Sequence, residues 1–337
     1  MTNTNISMKN KNYPFLLKPS GKDYLWGGNR LNKEFGKNIE LSPLAETWEC
    51  STNNDGPSYV ASGEWKGKKL VEVLKEHPQF LGTHPKTKNG NIPILVKFID
   101  AKEDLSVQVH PDDKYAFEFE KGQLGKTEMW YVLDTKKDST LVYGFNSNMT
   151  KDLIKESIYD GSIEKYLNRV KVQKDDIFYI KAGTVHAIGA GSLIVEIQEN
   201  SNLTYRIYDY NRIDKNGKLR EIHINKALDV IDYKANKEVR QPMRVFNYRR
   251  GYSSELLSRC KYFEVHKERI NTQNCKSIYN FQTESNSFHI LLCIEGSGTI
   301  INNKEELSFL KGDCVFVPAN SVELKIQGKV DFLNINC

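Results

Sequence analysis

The sequence lacks the features that mark several function classes. Only 6 of its 337 residues are cysteine: Cys50, Cys260, Cys275, Cys293, Cys314 and Cys337. No two form a C-x-x-C pair, which excludes a zinc knuckle and a thioredoxin-type redox motif. Six are also too sparse for a disulfide framework, so a reduced, cytoplasmic setting is expected. No run approaches the roughly 18 apolar residues of a membrane span. Met1–Asn12 is polar and lacks a signal-peptide core, so no membrane partner is expected. There is no phosphate-binding glycine motif and no α/β alternation, which excludes a Rossmann fold.

Net charge is small too. Lys plus Arg number 48 against 43 Asp plus Glu, a net +5. Lys234, Lys237, Arg240, Arg244, Arg249 and Arg250, against Glu238 alone, account for that excess. The rest of the chain is neutral in sum. Stacking aromatics are not interleaved with this basic segment in a recognition pattern, so it reads as a solvated strap and no nucleic-acid partner is expected.

What is present is core material, with 39% hydrophobic and 11% aromatic residues. The length suits about two domains of ~150 residues. Short β-type runs dominate: Ile92–Ile99, Ser106–His110, Met129–Leu133, Leu141–Tyr143, Ile177–Ile180, Leu193–Ile197 and Thr204–Tyr208. Helical pattern is confined to Leu70–His77, Asp112–Glu120, His223–Ile231 and Lys151–Arg169, the last with Thr150 as N-cap and a break near Gly161. Many short strands with a few helices predict a mainly β sandwich or jelly roll carrying helical insertions. A second β unit follows the strap. There Phe288–Ile294, a Gly296-Ser297-Gly298 turn and Thr299–Ile301 read as a hairpin. Lys311-Gly312-Asp313 leading into Cys314–Val317 loosely repeats Lys174-Asp175-Asp176 leading into Ile177–Ile180. The expected division is 13–233, a strap 234–250, and 251–337.

Chemistry concentrates in the first unit. On a strand through Ser106-Val107-Gln108-Val109-His110, the valines face one way and Ser106, Gln108 and His110 the other. Glu128 enters the apolar run Met129-Trp130-Tyr131-Val132, where a carboxylate must be paired or bind a metal. His186 follows a glycine turn in Lys181-Ala182-Gly183-Thr184-Val185-His186. Two imidazoles and a carboxylate make a competent divalent-metal site, to which Gln108 can add an oxygen. Glu196 and Arg206 interrupt neighbouring apolar runs, and a hairpin through Glu199–Leu203 would let them meet across strands as a site pair or a salt bridge. Lys97, in Leu95-Val96-Lys97-Phe98-Ile99, either snorkels or serves a site.

Tyr24-Leu25-Trp26-Gly27-Gly28, Leu95–Pro111, Gly125–Tyr131, Ala182–Ala187 and Glu196–Tyr210 together resemble the type I mannose-6-phosphate isomerases, in their short bacterial form. The resemblance runs from about Tyr13 to Ile231, and the region after the strap is similar to that form's second cupin unit. It implies a bicupin, two jelly-roll barrels with helical insertions in the catalytic half. The implied cofactor is one Zn2+ per chain on Gln108, His110, Glu128 and His186. It also implies an active-site Arg206 with Glu196, and Lys97, Ser106 and Lys126 facing the substrate. The implied activity is aldose–ketose isomerisation of a small sugar phosphate, by a monomer or weak homo-oligomer. Lys181 departs from the proline usual in the family before the glycine turn. The second unit has no H-x-H, so no metal is expected there, and His77, His84, His223, His266 and His289 read as surface or packing residues. Two rival readings remain at this point. A non-haem iron oxygenase shares the donor types, but Gln108 would fill a position oxygen needs. A sugar sensor would call for an output domain, and no DNA-binding element follows the barrels.

Overall fold

A computed structural model describes residues 12–83, 87, 90–214, 217–236, 244–273, 278–302 and 305–337. His84, Cys275 and the strap positions 237–243 fall outside these. The chain is mainly β, in two compact units built from interleaved segments. One unit comprises Pro19–Ser58 and Pro93–Arg244. The other comprises Tyr59–Ile92, Val245–Cys337 and the segment ending at Lys18. The division therefore does not follow the two consecutive blocks expected from the sequence. Strand Phe15–Lys18 pairs with Cys314–Val317 near the far end of the chain, and Tyr59–Val60 pairs with Phe15–Lys18. Helix Leu70–Glu76 belongs with them rather than with the metal-type residues.

The first unit is built of two sheets. Six strands run in the order Ile177–Ile180, Glu128–Thr135, Ser192–Glu199, Ile94–Ala101, Glu46–Cys50, Ser20–Lys22. Five run in the order Tyr205–Tyr208, Val107–Val109, His186–Ala187, Thr140–Phe145, Leu167–Lys171. Both are open cupin-like sheets rather than hydrogen-bond-closed barrels. Alternation decides what each face carries. Val107, Val109, Ala187, Tyr205 and Ile207 pack with helices Lys151–Tyr159 and Ile224–Val230. Ile99, Val132 and Ile194 of the six-stranded sheet pack with Leu141 of the five-stranded one, which joins the two sheets. The residues left between the sheets beyond that apolar layer are the polar ones.

Thr150 caps its helix as expected, accepting a hydrogen bond from the Leu153 amide at 3.2 Å. The helix stops at Tyr159, however, and does not reach Arg169. Gly161 takes a left-handed φ of 76°, and a short turn leads into strand Leu167–Lys171.

In the second unit, ten strands form one sheet whose centre is Glu264–Asn271, Leu324–Asn336, His289–Ile301, Cys314–Val317. The expected hairpin at Gly296-Ser297-Gly298 is instead the middle of one 13-residue strand, His289–Ile301. The ladder to Leu324–Asn336 shifts between Cys293 and Glu295, and Gly298 lies directly opposite Gly328. A Cβ on Gly296 would stand 2.2 Å from the Lys329 carbonyl oxygen. These glycines permit a close backbone approach just beyond the bulge, a use that the same residues share with turns.

Candidate active site

Three strands bring three donors to one point. His110 leaves the end of Val107–Val109, His186 opens the adjacent strand paired with Gln108, and Glu128 opens a strand of the other sheet. The two Nε2 atoms are 3.1 Å apart, and Glu128 Oε1 lies 3.3 Å from His186 Nε2. All three side chains are buried. Each imidazole donates its Nδ1–H to a carbonyl, His110 to Leu203 at 2.7 Å and His186 to Thr184 at 2.8 Å. That fixes the tautomer and turns both Nε2 lone pairs inward. Gly183 sets up the second of these: its φ of 88° makes the turn, and its amide donates to the His110 carbonyl at 2.9 Å. The Gln108 amide lies 3.4 Å from His186 Nε2, and a half-turn of that amide presents its oxygen.

Around these donors lies a network of buried ions. Lys126 Nζ stands 2.6 Å from Glu128 Oε2 and 3.1 Å from His110 Nε2. Lys97 Nζ donates to Glu196 Oε1 at 2.9 Å and lies 3.8 Å from Glu46. Burial drives both imidazoles to the neutral form, with His186 down at about 4 and His110 well below its usual range. Burial, then the charge of Glu196, pushes the Glu128 carboxyl up to about 7. Burial opposes ionising Glu196 as well, but Lys126 and Lys97 outweigh it and hold that carboxyl at about 2. Lys97 is raised in turn, Glu196 and Glu46 outweighing its own desolvation.

A cavity of about 310 Å³ opens onto this network, lined by Glu46, Lys97, Ser106, Gln108, Lys126, Glu196, Arg206 and Arg220 among others. Arg206 Nε donates to Ser106 Oγ at 3.2 Å and its Nη1 to the Glu221 carbonyl at 2.8 Å. Arg220, by contrast, is clamped by Asp209 through two hydrogen bonds.

Comparison with known proteins agrees with this arrangement. Residues 15–160 match the phosphomannose isomerase type I catalytic domain, and residues 253–336 match the mannose-6-phosphate isomerase cupin domain. A mannose-6-phosphate isomerase of Bacillus subtilis is 38% identical over 315 residues, covering 94% of this chain and 96% of its own. One from Streptococcus mutans is 33% identical, covering 95% and 97%. The crystal structure of a mannose 6-phosphate isomerase from Bacillus subtilis superposes with a TM-score of 0.85 at 36% identity, over 96% of this chain and 99% of that one. The chain belongs to the type I phosphomannose isomerases.

A divalent cation fits the donor set of this phosphomannose isomerase family member. Among the described residues Glu128 Oε1 is buried without a hydrogen-bond partner, and the two inward Nε2 atoms stand 3.1 Å apart with the Lys126 ammonium on His110 Nε2 and Glu128 Oε2 alone. The acceptor left over, Glu128 Oε1 3.3 Å from His186 Nε2, suits a cation held beside Lys126. Among the described residues, His110, Glu128 and His186 are the one set of three metal-type side chains brought together.

The structure gathers all nine residues singled out in the sequence, but not in the expected pairing. Glu196 and Arg206 do not meet across a hairpin. After Glu199 the chain crosses from one sheet to the other, so Glu196 pairs beside Lys97 and Trp130 while Arg206 pairs beside Gln108. Both line the same cavity from different sheets. Sequence reasoning missed Glu46 and Arg220. Glu46 carried the signal that found Glu128 and Glu196, an acid inside a strand. Glu49, three residues on, carries it equally and is spent on a buried pair with Lys37 at 2.7 Å.

Proposed function

We propose that the protein interconverts D-mannose 6-phosphate and D-fructose 6-phosphate by moving a proton between C1 and C2 through an enediol(ate), with zinc as its metal. Two imidazoles, a carboxylate and an amide oxygen (His110, His186, Glu128 and Gln108) are a donor set suited to Zn2+. When bound there, zinc supplies Lewis-acid polarisation of a substrate oxygen.

The remaining work falls to the chain's own side chains. Glu196 is the proton-transfer base, ionised throughout the physiological range because Lys97 and Lys126 hold its carboxyl low. A carboxylate at about 2 is a weak base, and its strength rises when either ammonium turns from it toward a substrate hydroxyl. Lys97, Lys126 and Ser106 are therefore assigned to substrate contacts. Among the described residues the hydrogen-bond partners of Arg206 include no carboxylate, so its charge remains available to a phosphate or to the negative oxygen of the enediolate.

The observation that carries this reading is the adjacency of the three inward donors to the Lys97–Glu196 pair, within one cavity on which Arg206 also opens. The test is a coupled assay for fructose 6-phosphate formation from mannose 6-phosphate, run beside elemental analysis of the purified protein. Turnover with one zinc per chain is the expected result. No turnover by a zinc-replete protein would sink the assignment, and iron with dioxygen uptake would replace it by the oxygenase reading.

A further inference from the structure

Trp48, Lys97, Glu196 and Trp130 stand side by side on four neighbouring strands, each the register partner of the next. The two tryptophans end the row, and each donates its indole N–H to a buried carboxylate. Trp48 Nε1 bonds Glu46 Oε2 at 2.8 Å, and Trp130 Nε1 bonds Glu196 Oε2 at 3.0 Å. Trp130 also lays an edge against the His186 ring, with centroids 5.4 Å apart and planes at 73°. It is 1% exposed, packed in the apolar layer between the sheets, and does not line the cavity.

We infer that Trp130 is a positioning residue for the isomerisation, holding the Glu196 carboxylate in its working orientation through the Trp130 Nε1–Glu196 Oε2 hydrogen bond. The proposal rests on Glu196 being the proton-transfer base. A buried carboxylate needs donors on both oxygens. On Oε1, Glu196 has the Lys97 ammonium, with Lys126 3.9 Å away. Both amines end flexible stems that line the cavity, so both are free to turn toward a substrate. On Oε2 it has the indole, which is rigid, uncharged and wedged by packing. When an ammonium moves to substrate, the indole keeps the carboxylate from rotating with it. A third cation in that place would weaken the base further, and a flexible amide would let it swing.

The side chain's bulk and its N–H are separable. Replacing Trp130 with β-(3-benzothienyl)alanine by amber suppression keeps the bicyclic shape and exchanges only the N–H for sulfur, and Trp130→Phe is the simpler companion. With metal content and Tm matching wild type, the isosteric variant should lower kcat about tenfold or more while KM for mannose 6-phosphate moves less than twofold, the loss expected for one hydrogen bond to a charged group. In a Glu196→Gln background the same replacement should change the residual kcat by less than twofold, because the two substitutions remove one function. Wild-type kcat in the isosteric variant, or an equal loss with and without Glu196, would overturn the proposal. If Glu196→Gln alone leaves kcat unchanged, the base assignment is what fails, and the positioning role falls with it.

Discussion

The two units of the chain use the same frame for opposite purposes. In the first, Ile180, Glu128 and Gln198 are register partners across three strands, and so are Lys97, Glu196 and Trp130. In the second, Val317, His289 and Asn336 are register partners, and so are His266, Asn334 and Leu291. Both series start from the short strand that follows a Lys-Gly-Asp or Lys-Asp-Asp turn, so His289 stands where Glu128 does, Asn334 where Glu196 does, and His266 where Lys97 does. Yet the inner faces differ. The second is filled by Leu291, Cys293, Ile326, Val315 and Phe332. His266 and His289 there hydrogen-bond to Glu264 at 2.8 Å and to Asn334 at 2.7 Å. At the three equivalent positions the second unit keeps polar side chains, His289, Asn334 and His266, beside that apolar cluster. The frame thus accepts different polar side chains at these positions, and burying the ions of the first unit costs stability that close packing would otherwise supply.

The sharpest way to break this contrast is to remove a donor. His110→Ala should lower turnover about a thousandfold or more, since metal polarisation supplies several kcal/mol and each 1.4 kcal/mol is about tenfold. Bound metal measured by elemental analysis should fall with it. The Tm of the metal-stripped variant should match metal-stripped wild type within a few degrees. A large drop there would mean that the site holds the unit together and that the contrast is false.

The mirror experiment belongs to the other unit. Phe332, fully buried in the apolar face, stacks its edge on Phe309 with centroids 6.2 Å apart. Phe332→Ala should cost ~3–5 kcal/mol of stability through lost burial and the cavity left behind. Denaturant titration reads that cost, while kcat per folded molecule should be unchanged. A fall in kcat at full folding would make the second unit part of the catalytic apparatus.

The sequence makes one half of this contrast easy to read and the other hard. Glu128, Glu196 and Lys97 are legible because a charge inside an apolar strand has few bland explanations, and the alternation around Val107 and Val109 correctly turns Gln108 and His110 to the other face. Which sheet each strand joins is not local information. Glu196 and Arg206 look like hairpin neighbours because only the tertiary fold decides that the chain changes sheets between them. Glycine misleads for a related reason: Gly296 and Gly298 serve a close backbone approach that lies across the sheet, and nothing beside them in sequence says so. The joining of N-terminal segments to the C-terminal unit escapes for the same cause, since Phe15–Lys18 finds its partner about 300 residues away.

The smallest expected effect tests whether the second unit's histidines are structural only. His289 is half-buried, and desolvation lowers its basicity despite the Asn334 hydrogen bond and the nearby charge of Glu264. The folded state therefore disfavours the imidazolium relative to the unfolded chain, whose histidine titrates near 6.5. Its contribution to stability is present in full above that pH and declines as pH falls below it, because the unfolded chain then binds the proton more readily. His289→Gln removes this titration while keeping a group that reaches Asn334. Thermal unfolding from pH 7.5 to pH 5 should show a shallower acid-side fall in Tm for the variant than for wild type, with turnover at pH 7.5 unchanged. Parallel Tm profiles would show that the fold does not favour the neutral form of His289. A loss of turnover would show that the position equivalent to Glu128 takes part in the activity.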